Sequence, residues 1–299
     1  MRNVPQPIPY QGSKRAIADK ILAYLPVSIE RLVEPFAGSA ALSVSAAYRD
    51  QAERFWLNDL NAPLMRLLEM MIDNPEQIAD DYERLWRQQL GQEKTYYLEI
   101  RNRFNTTHEP SLLLYLLARC VKASVRYNSR GEFNQGADNR RKGRTPASMR
   151  AEIFRLSHLL KGRTTVTSYH YRELADTIDP KSDVVYLDPP YQGTSTNRDP
   201  RYLKSLDVDE LIEYLQHLND RQVRYALSYD GHKAGKYYGI KLPEHLNLYR
   251  VEINAGRSSQ STLLGRSHFT FESLYLSPAL MSQVQPRVTD NRLQLSLLP

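Results

Sequence analysis

Asp188, Pro189, Pro190 and Tyr191 carry the clearest chemical signal in the sequence, because they directly follow an apolar run at residues 184–187. Two consecutive prolines remove two backbone donors and stiffen the turn, which leaves the Asp188 carboxylate and the Pro189 carbonyl to accept hydrogen bonds. An exocyclic amine on a planar base would satisfy both acceptors, and Tyr191 offers a face on which such a base stacks. The alternative is an ordinary turn. At the end of a buried strand, the pattern favours a site for an amino-bearing base.

A second signal is the turn at residues 34–39, which reads Glu-Pro-Phe-Ala-Gly-Ser after a short apolar strand. Gly38 permits close backbone approach, and the helix that follows offers N–H groups. Asp59 follows the next strand, where a carboxylate accepts both hydroxyls of a ribose. The two features together fit an adenosyl-bearing cofactor, although each alone would suit a tight turn or a surface aspartate. The single glycine disfavours a nicotinamide-dependent oxidoreductase, whose fingerprint has three.

Positive charge is concentrated in residues 119–150, which hold nine basic and two acidic residues. The whole chain has a formal net charge of +6, so the remainder is close to neutral. Asparagine and glutamine residues lie among the cations, and these side-chain types hold phosphates and read base edges. We expect a nucleic-acid-binding segment, with a solvated basic loop as the alternative. The residues expected to make these contacts are Lys122, Arg126, Asn128, Arg130, Asn134, Arg140, Arg141, Lys142 and Arg144.

The elements that must position these residues are strands alternating with helices, which predicts a mostly parallel sheet covered on both faces. In such a sheet the ligand crevice lies at the carboxyl ends of the strands, where the Asp188, Gly38 and Asp59 motifs fall. The predicted strands are residues 31–34, 54–58, 164–168, 183–187, 223–228, 248–253 and 269–277. The predicted helices are residues 16–25, 39–48, 62–72, 75–89, 94–104, 111–127 and 146–160.

The helical stretch, residues 62–162, contains no convincing strand, which predicts a helical domain inserted into the α/β domain. We therefore expect an α/β domain from residues 1–61 and 163–277, and a helical domain at 62–162. Residues 278–299 lose periodicity and are predicted to be a tail.

Composition places the chain among globular proteins, with 299 residues of which 41% are hydrophobic. No apolar run approaches the ~18–20 residues of a membrane span, and the first residues lack the apolar core of a secretory signal. The single cysteine, Cys120, cannot form an internal disulfide, and the histidines are spread singly without ligand spacing. We expect a cytoplasmic protein with no membrane contact and no metal site.

The motifs together resemble the Dam-type, or D12 class, DNA adenine-N6 methyltransferases over about residues 8–277. The resemblance is carried, in the order of that family, by YQGSK, VEPFAGSAAL, NDLN, RYNSRGEFN, DPPY and FESLYLS. It implies a Rossmann-like methyltransferase sheet with one antiparallel strand near the C-terminus. The recognition segment departs from the family pattern at Leu117-Ala118 and Lys122-Ala123, so the GATC specificity of the family is not carried over.

The resemblance implies that a methyl group passes from S-adenosylmethionine to N6 of an adenine flipped out of double-stranded DNA. Asp188 to Tyr191 would hold the adenine. Separately, the Ser-, Gly- and Arg-rich composition of the loop 255–266 predicts that Arg257 or Arg266 reaches the DNA backbone, with an ordinary solvated hairpin loop as the alternative. Methylation of cytosine N4 is the nearest alternative, and a catalytically silent DNA-binding regulator is one from another class. We expect a monomer, and a cognate restriction endonuclease remains an open partner. The implied cofactor contacts are Tyr10, Lys14, Glu34, Phe36, Gly38, Asp59 and Asp188.

The last residues, from Gln294 to Leu298, pair a glutamine with spaced leucines after a polar stretch. This tail resembles the short peptides by which bacterial DNA-processing proteins dock on the sliding clamp. A contact with the clamp is one hypothesis for the tail, and packing of these leucines on the protein's own surface is the alternative.

Overall fold

The structure is a computed structural model of the chain, and it describes residues 4–190, 207–233, 236–238, 241–257 and 269–282. These residues form one mixed sheet with helices on both faces. The strands are Ile29–Glu34 (β1), Ala52–Asn58 (β2), Thr164–Thr167 (β3), Asp183–Leu187 (β4), Arg224–Lys233 (β5), Lys236–Tyr238 (β6), Tyr249–Arg257 (β7) and Phe269–Leu276 (β8).

The strand order is β3-β2-β1-β4-β5-β8-β7, with β6 paired to the end of β5. The pairs from β3 to β5 are parallel, whereas β8 runs antiparallel to both β5 and β7. The chain order reverses between β1 and β4, and in doubly wound sheets the ligand crevice opens at such a reversal. The predicted fold class, including the antiparallel strand near the C-terminus, is confirmed.

The interior strand β4 is buried on both faces because helices cover both faces of the sheet. Every residue of β4 is buried, as expected for an interior strand of a parallel sheet. Alternate residues divide between two cores: Val184 and Tyr186 pack on one face, and Val185 and Leu187 pack on the other. The sheet edge where β1 and β4 end is therefore held rigidly from both sides.

Nine helices are described, five of them in the stretch between β2 and β3. They are Ala18–Leu22 (α1), Ala41–Tyr48 (α2), Ala62–Asp73 (α3), Pro75–Gln88 (α4), Glu93–Thr107 (α5), Pro110–Arg119 (α6), Pro146–Leu160 (α7), Val208–Asp220 (α8) and Pro278–Met281 (α9). The apolar residues of α3 to α7 belong to the same hydrophobic core as one face of the sheet. The helical stretch is thus packed firmly onto the sheet. None of the described helices is long and apolar enough to cross a membrane.

The largest difference from the predicted elements is the helix expected at residues 111–127, because α6 ends at Arg119. Cys120 is extended and pairs with Ala137 in an isolated bridge, and Lys122 and Ala123 both have positive φ. The apolar residues Val125 and Tyr127 continue the helical spacing by coincidence, since they pack against the main core from a non-helical segment.

Two smaller differences occur at the chain's ends. The helix expected at 16–25 is divided into a 3-10 turn, Lys14–Ala16, followed by α1. The residues expected to begin a tail form α9, in which Leu280 is fully buried and the Ser277 side chain caps the first turn. Burial of one leucine and the Ser277 cap hold this turn on β5.

Candidate functional site

A cavity of about 360 Å³ lies at the carboxyl ends of β1, β2 and β4, where the sheet order reverses. Its size is within the range typical of small-molecule sites. Every predicted cofactor contact lines it, together with Pro189 and Pro190 of the predicted base site. The lining residues of these two sets are Tyr10, Lys14, Glu34, Phe36, Gly38, Asp59, Asp188, Pro189 and Pro190.

Gly38 forms the tight turn between β1 and α2, at a φ of +50°. A Cβ at this position would lie 3.2 Å from Cε1 of Tyr10, closer than ordinary van der Waals contact. Glycine is therefore required both by the left-handed backbone and by the tyrosine ring packed against it. The turn brings the N-terminal motif and the β1 motif together on one wall of the cavity.

Asp59 joins the end of β2 to this turn. Its Oδ2 accepts a hydrogen bond from the Gly38 N–H at 3.0 Å, and its Oδ1 accepts one from the Asn61 N–H at 2.9 Å. Burial raises the pKa of the carboxyl, and these two donors oppose the rise. A carboxylate has about four acceptor positions, so Asp59 retains capacity to accept hydroxyl donors from a ligand.

Glu34 at the end of β1 is buried in the cavity wall, and its Oε1 accepts from the Ser43 N–H of α2 at 2.8 Å. Desolvation raises the pKa of Glu34 to about 7, with the hydrogen bond from Ser43 opposing and the charge of Asp188 adding to the rise. The site therefore holds a carboxyl group that changes charge near neutral pH.

Lys14 lies between two carboxylates that come from distant parts of the chain. Its Nζ is 2.9 Å from Oδ1 of Asp188, at the end of β4, and 3.4 Å from Oε2 of Glu272 in β8. The lysine is 7% exposed, so its charge is largely removed from water. Its backbone is fixed in the 3-10 turn whose N-cap, Ser13, accepts from the Arg15 N–H. Burial of an ammonium is tolerated because the two carboxylates compensate it.

Several residues that line the cavity were not predicted from the sequence, among them Gln11, Asn61 and Tyr127. The Tyr127 hydroxyl donates to Oδ1 of Asn61 at 3.2 Å, which ties the start of the basic segment to α3. Oε1 of Gln11 is buried and has no hydrogen-bond partner among the described residues. Gln11 lies in the YQGSK motif and Tyr127 in the RYN run, and these positions were the signal in the sequence that could have indicated a role in the site.

The hydrogen-bond acceptors of the cavity fit an adenosyl-bearing amino acid. Oε1 of Gln11 has capacity to accept a hydrogen bond from an ammonium or an exocyclic amine, and Asp59 has capacity to accept hydrogen bonds from ribose hydroxyls. Phe36 lines the same wall, and its ring packs 4.9 Å from that of Tyr171. Tyr191, predicted to stack on the base, lies outside the described residues.

The predicted nucleic-acid contacts lie on the segment between α6 and α7. The Asn128 side chain is engaged within a turn, donating to Glu132 at 2.7 Å and accepting from the Arg130 N–H at 2.9 Å. Arg119, one of the nine basic residues of 119–150, is 1% exposed and contributes no surface cation. Lys122 and Asn134 are exposed and Arg126 is half-buried, while the side chain of Arg257 lies outside the described set.

Several surface cations of the segment are paired with acidic residues of the same chain. Arg130 pairs with Glu132, Arg140 and Arg141 with Asp138, Lys142 with Glu93, and Arg144 with Glu152. An exposed pair such as Arg130–Glu132 contributes about 0–1 kcal/mol, so phosphate groups compete with it readily.

The fold and the cavity define the class of protein: a doubly wound α/β protein with its ligand site at the carboxyl ends of β1, β2 and β4. The model of the D12 class N6 adenine-specific DNA methyltransferases matches residues 10–252, and the chain belongs to that family. The resemblance based on the sequence motifs is confirmed, and with it the expectation of an adenine-specific DNA methyltransferase.

Three relatives illustrate the range of the family. The DNA adenine methylase of Serratia marcescens is 27% identical over 86% of this chain and 93% of its own length. The DNA N-6-adenine-methyltransferase of Escherichia phage P1 is 29% identical over 84% of this chain but only 32% of its own length. The type II methyltransferase M.FokI of Planomicrobium okeanokoites is 23% identical over 88% of this chain and 42% of its own length. The chain thus spans less than half of the two longer relatives.

Proposed function

We propose that this chain transfers a methyl group from S-adenosylmethionine to N6 of an adenine flipped out of double-stranded DNA. The observation that supports this most is the cavity, which brings together Tyr10, Lys14, Gly38, Asp59 and Asp188 from four separate parts of the sequence. When bound there, S-adenosylmethionine supplies a methyl group on a sulfonium, which is already strongly electrophilic. The protein then has to bind the cofactor and the adenine, orient them for transfer, and exclude water from the site.

Three residues of the cavity wall would hold the cofactor. Asp59 would accept from the ribose hydroxyls, and the Gly38 backbone would approach the ligand closely because no side chain intervenes. Gln11 would use its unpaired oxygen to accept from an amino group of the ligand. We assign no step of the transfer to these residues, whose contribution is orientation.

Asp188 and Pro189 would act on the adenine. The Asp188 carboxylate and the Pro189 carbonyl would accept the two N–H bonds of N6, which withdraws the nitrogen lone pair from the ring and makes it available to the methyl carbon. The Lys14 ammonium holds Asp188 in place through its contact with Oδ1. A carboxylate has about four acceptor positions, so Asp188 can accept a hydrogen bond from the amine as well. The bond from N6 to the methyl carbon would form as the bond from that carbon to the cofactor sulfur breaks, and N6 would then release one proton, which the Asp188 carboxylate can accept.

The helical stretch 62–162 is proposed as the recognition domain, with the catalytic domain formed by 1–61 and 163–277. The segment between α6 and α7 supports this division. It carries exposed cations, and three of its residues, Ser124, Val125 and Tyr127, line the cavity. The same segment can therefore contact DNA and border the base site.

The partners proposed beyond DNA come from the sequence. The relative named as a type II methyltransferase, M.FokI of Planomicrobium okeanokoites, favours a cognate restriction endonuclease as one partner of the chain. The sliding-clamp hypothesis for Gln294 to Leu298 concerns residues outside the described set. A monomeric, cytoplasmic enzyme remains our expectation.

The test is to incubate the purified chain with labelled S-adenosylmethionine and duplex DNA, digest the product, and identify the methylated nucleoside. We expect N6-methyldeoxyadenosine. N4-methyldeoxycytidine would replace the proposal with its nearest alternative, and absence of label with intact DNA binding would favour a silent regulator.

A further inference from the structure

The segment 138–144, which carries Arg140, Arg141, Lys142 and Arg144, rests on a group of buried polar side chains from α4 and α6. We call Tyr82, Gln89, Tyr115 and Arg119 the buried polar cluster. Each of them is at most 1% exposed. Buried polar groups are expensive to place in a core, so a cluster of four beneath one surface segment calls for an explanation.

Two members of the cluster bind the backbone of the segment directly. The Tyr82 hydroxyl donates to the Arg144 carbonyl at 2.7 Å, and the Gln89 amide nitrogen donates to the Lys142 carbonyl at 2.9 Å. Tyr82 lies within α4, and Gln89 is the C-cap residue directly after that helix. The two accepting carbonyls flank one residue of the segment.

That intervening residue is Gly143, with a φ of +82°. A Cβ there would lie 3.1 Å from the Tyr82 hydroxyl oxygen and 3.4 Å from Cδ of Arg119. The backbone of the segment therefore lies directly on the cluster, with no room for a side chain between them.

The cluster is itself connected and holds the other end of the segment. The Tyr115 hydroxyl donates to Oε1 of Gln89 at 3.0 Å, and Arg119 Nη1 lies 3.4 Å from the Tyr115 hydroxyl. The Arg119 carbonyl accepts from the Asp138 N–H at 2.8 Å. Asp138 in turn accepts from the Arg140 N–H at 3.1 Å.

The result is a fixed backbone with outward-facing charge. The Arg140, Arg141 and Lys142 side chains are 90%, 75% and 60% exposed, although their main chain is tied down at 138, 142 and 144. A pre-ordered backbone reduces the entropy lost when cations bind phosphates.

We propose that Tyr82 and Gln89 are positioning residues for DNA binding, which hold the carbonyls of Lys142 and Arg144 so that the neighbouring cations meet successive phosphates. They touch neither the cofactor cavity nor the reacting atoms. The inference rests on the proposed function and adds a set of residues outside the catalytic site on which DNA affinity depends.

The first test compares Tyr82→Phe with Tyr96→Phe. Tyr96 is also a buried tyrosine of the helical stretch, but its hydroxyl donates to the Gln88 side chain instead of the segment. For Tyr82→Phe we expect the Kd and the KM for duplex DNA to rise roughly fivefold, the scale of one lost hydrogen bond, with kcat and the cofactor Kd changed far less. The control should leave the DNA Kd within about twofold of the parent chain.

The second test is Gly143→Ala, alone and combined with Tyr82→Phe. Removing the Tyr82 oxygen relieves the contact with the new Cβ, so the two changes should be less than additive in DNA affinity. Hydrogen exchange at 142–144 should rise in Tyr82→Phe and stay unchanged in Tyr96→Phe. Equal DNA Kd values and salt slopes for the two tyrosine variants, with additive effects of Gly143→Ala, would overturn the inference. A parent chain that neither binds nor methylates DNA would overturn the proposed function instead.

Discussion

The Lys14 ammonium nitrogen lies 2.9 Å from Oδ1 of Asp188, so the N-terminal motif and the motif after β4 meet in one buried ion pair. Glu272 of β8 completes the arrangement at 3.4 Å from the same nitrogen. A single lysine thereby holds together the N-terminal turn, the base site and the antiparallel strand. Its removal from this position would leave two carboxylates facing each other in a poorly hydrated site.

Asp188→Ala tests the proposed acceptor. We expect methyl transfer to fall by at least ~10²–10³-fold, the scale for losing a preorganised group in a dry site, while folding and DNA binding are retained. Asp188→Asn should also be severely impaired, because an amide replaces one acceptor oxygen with donors. Single-turnover methylation measures the effect, with the exposed Asp220→Ala as control. Near-normal turnover of Asp188→Ala would rule out this role.

Glu34→Gln tests the buried carboxyl. Because the pKa of Glu34 is raised from 4.5 to about 7 in the folded chain, the folded state binds more protons than the unfolded state between these values. Stability from this group is therefore lost as pH rises from about 4.5 to 7, by up to about 3 kcal/mol. The amide cannot ionise, so Glu34→Gln should gain stability relative to the parent chain over that window.

Chemical denaturation at pH 5, 6, 7 and 8 measures this difference. The exposed Glu69→Gln in α3 is the matched control. If the two variants follow the same pH dependence relative to the parent chain, burial of Glu34 does not have the predicted effect.

The parts of the site that were predictable are those set by local sequence. The turn at Gly38, the aspartate after β2 and the run from Asp188 to Pro190 each depend on a few adjacent residues, and all of them lie at the carboxyl ends of the strands, where the sheet predicts them. Contacts that depend on tertiary packing were not accessible: nothing near Glu272 in sequence indicates its approach to Lys14. The end of α6 was missed for the same reason, since the pairing of Cys120 with Ala137 overrides a helical hydrophobic pattern.

Gly38→Ala should separate backbone strain from the contact with Tyr10. Alanine at a φ of +50° costs roughly 1–2 kcal/mol of stability, and its Cβ would also push against the Tyr10 ring. Gly91→Ala is the control, because Gly91 has a φ of +84° with nothing within 4 Å of an added Cβ. We expect both to lose stability and only Gly38→Ala to lose cofactor affinity, as measured by calorimetric titration. Equal cofactor affinity in the two variants would contradict the assignment of this wall.

The tail hypothesis is testable with a peptide. A labelled peptide of residues 285–299 should bind purified bacterial sliding clamp, with Leu297 and Leu298 in an apolar pocket and an affinity limited by the entropy of ordering the chain. The control peptide carries Gln294→Ala and Leu297→Ala. Absence of saturable binding below ~100 μM, or equal binding of the two peptides, would show that the tail is not a clamp ligand.

The salt dependence of DNA binding tests the basic segment as a whole. With Arg119 buried, eight of its nine cations remain, and contacts from about five of them to phosphates predict a slope of log affinity against log salt of roughly −4 to −5. Arg140→Ser/Arg141→Ser should make the slope shallower by about 2. The control is Arg49→Ser/Arg54→Ser, in which two exposed arginines, paired with Asp19 and Glu30, lie near the amino end of β2, away from the cavity. Fluorescence anisotropy between ~50 and ~200 mM salt measures all three proteins. A slope near zero, or the same slope for both double variants, would exclude this segment as the DNA-binding face.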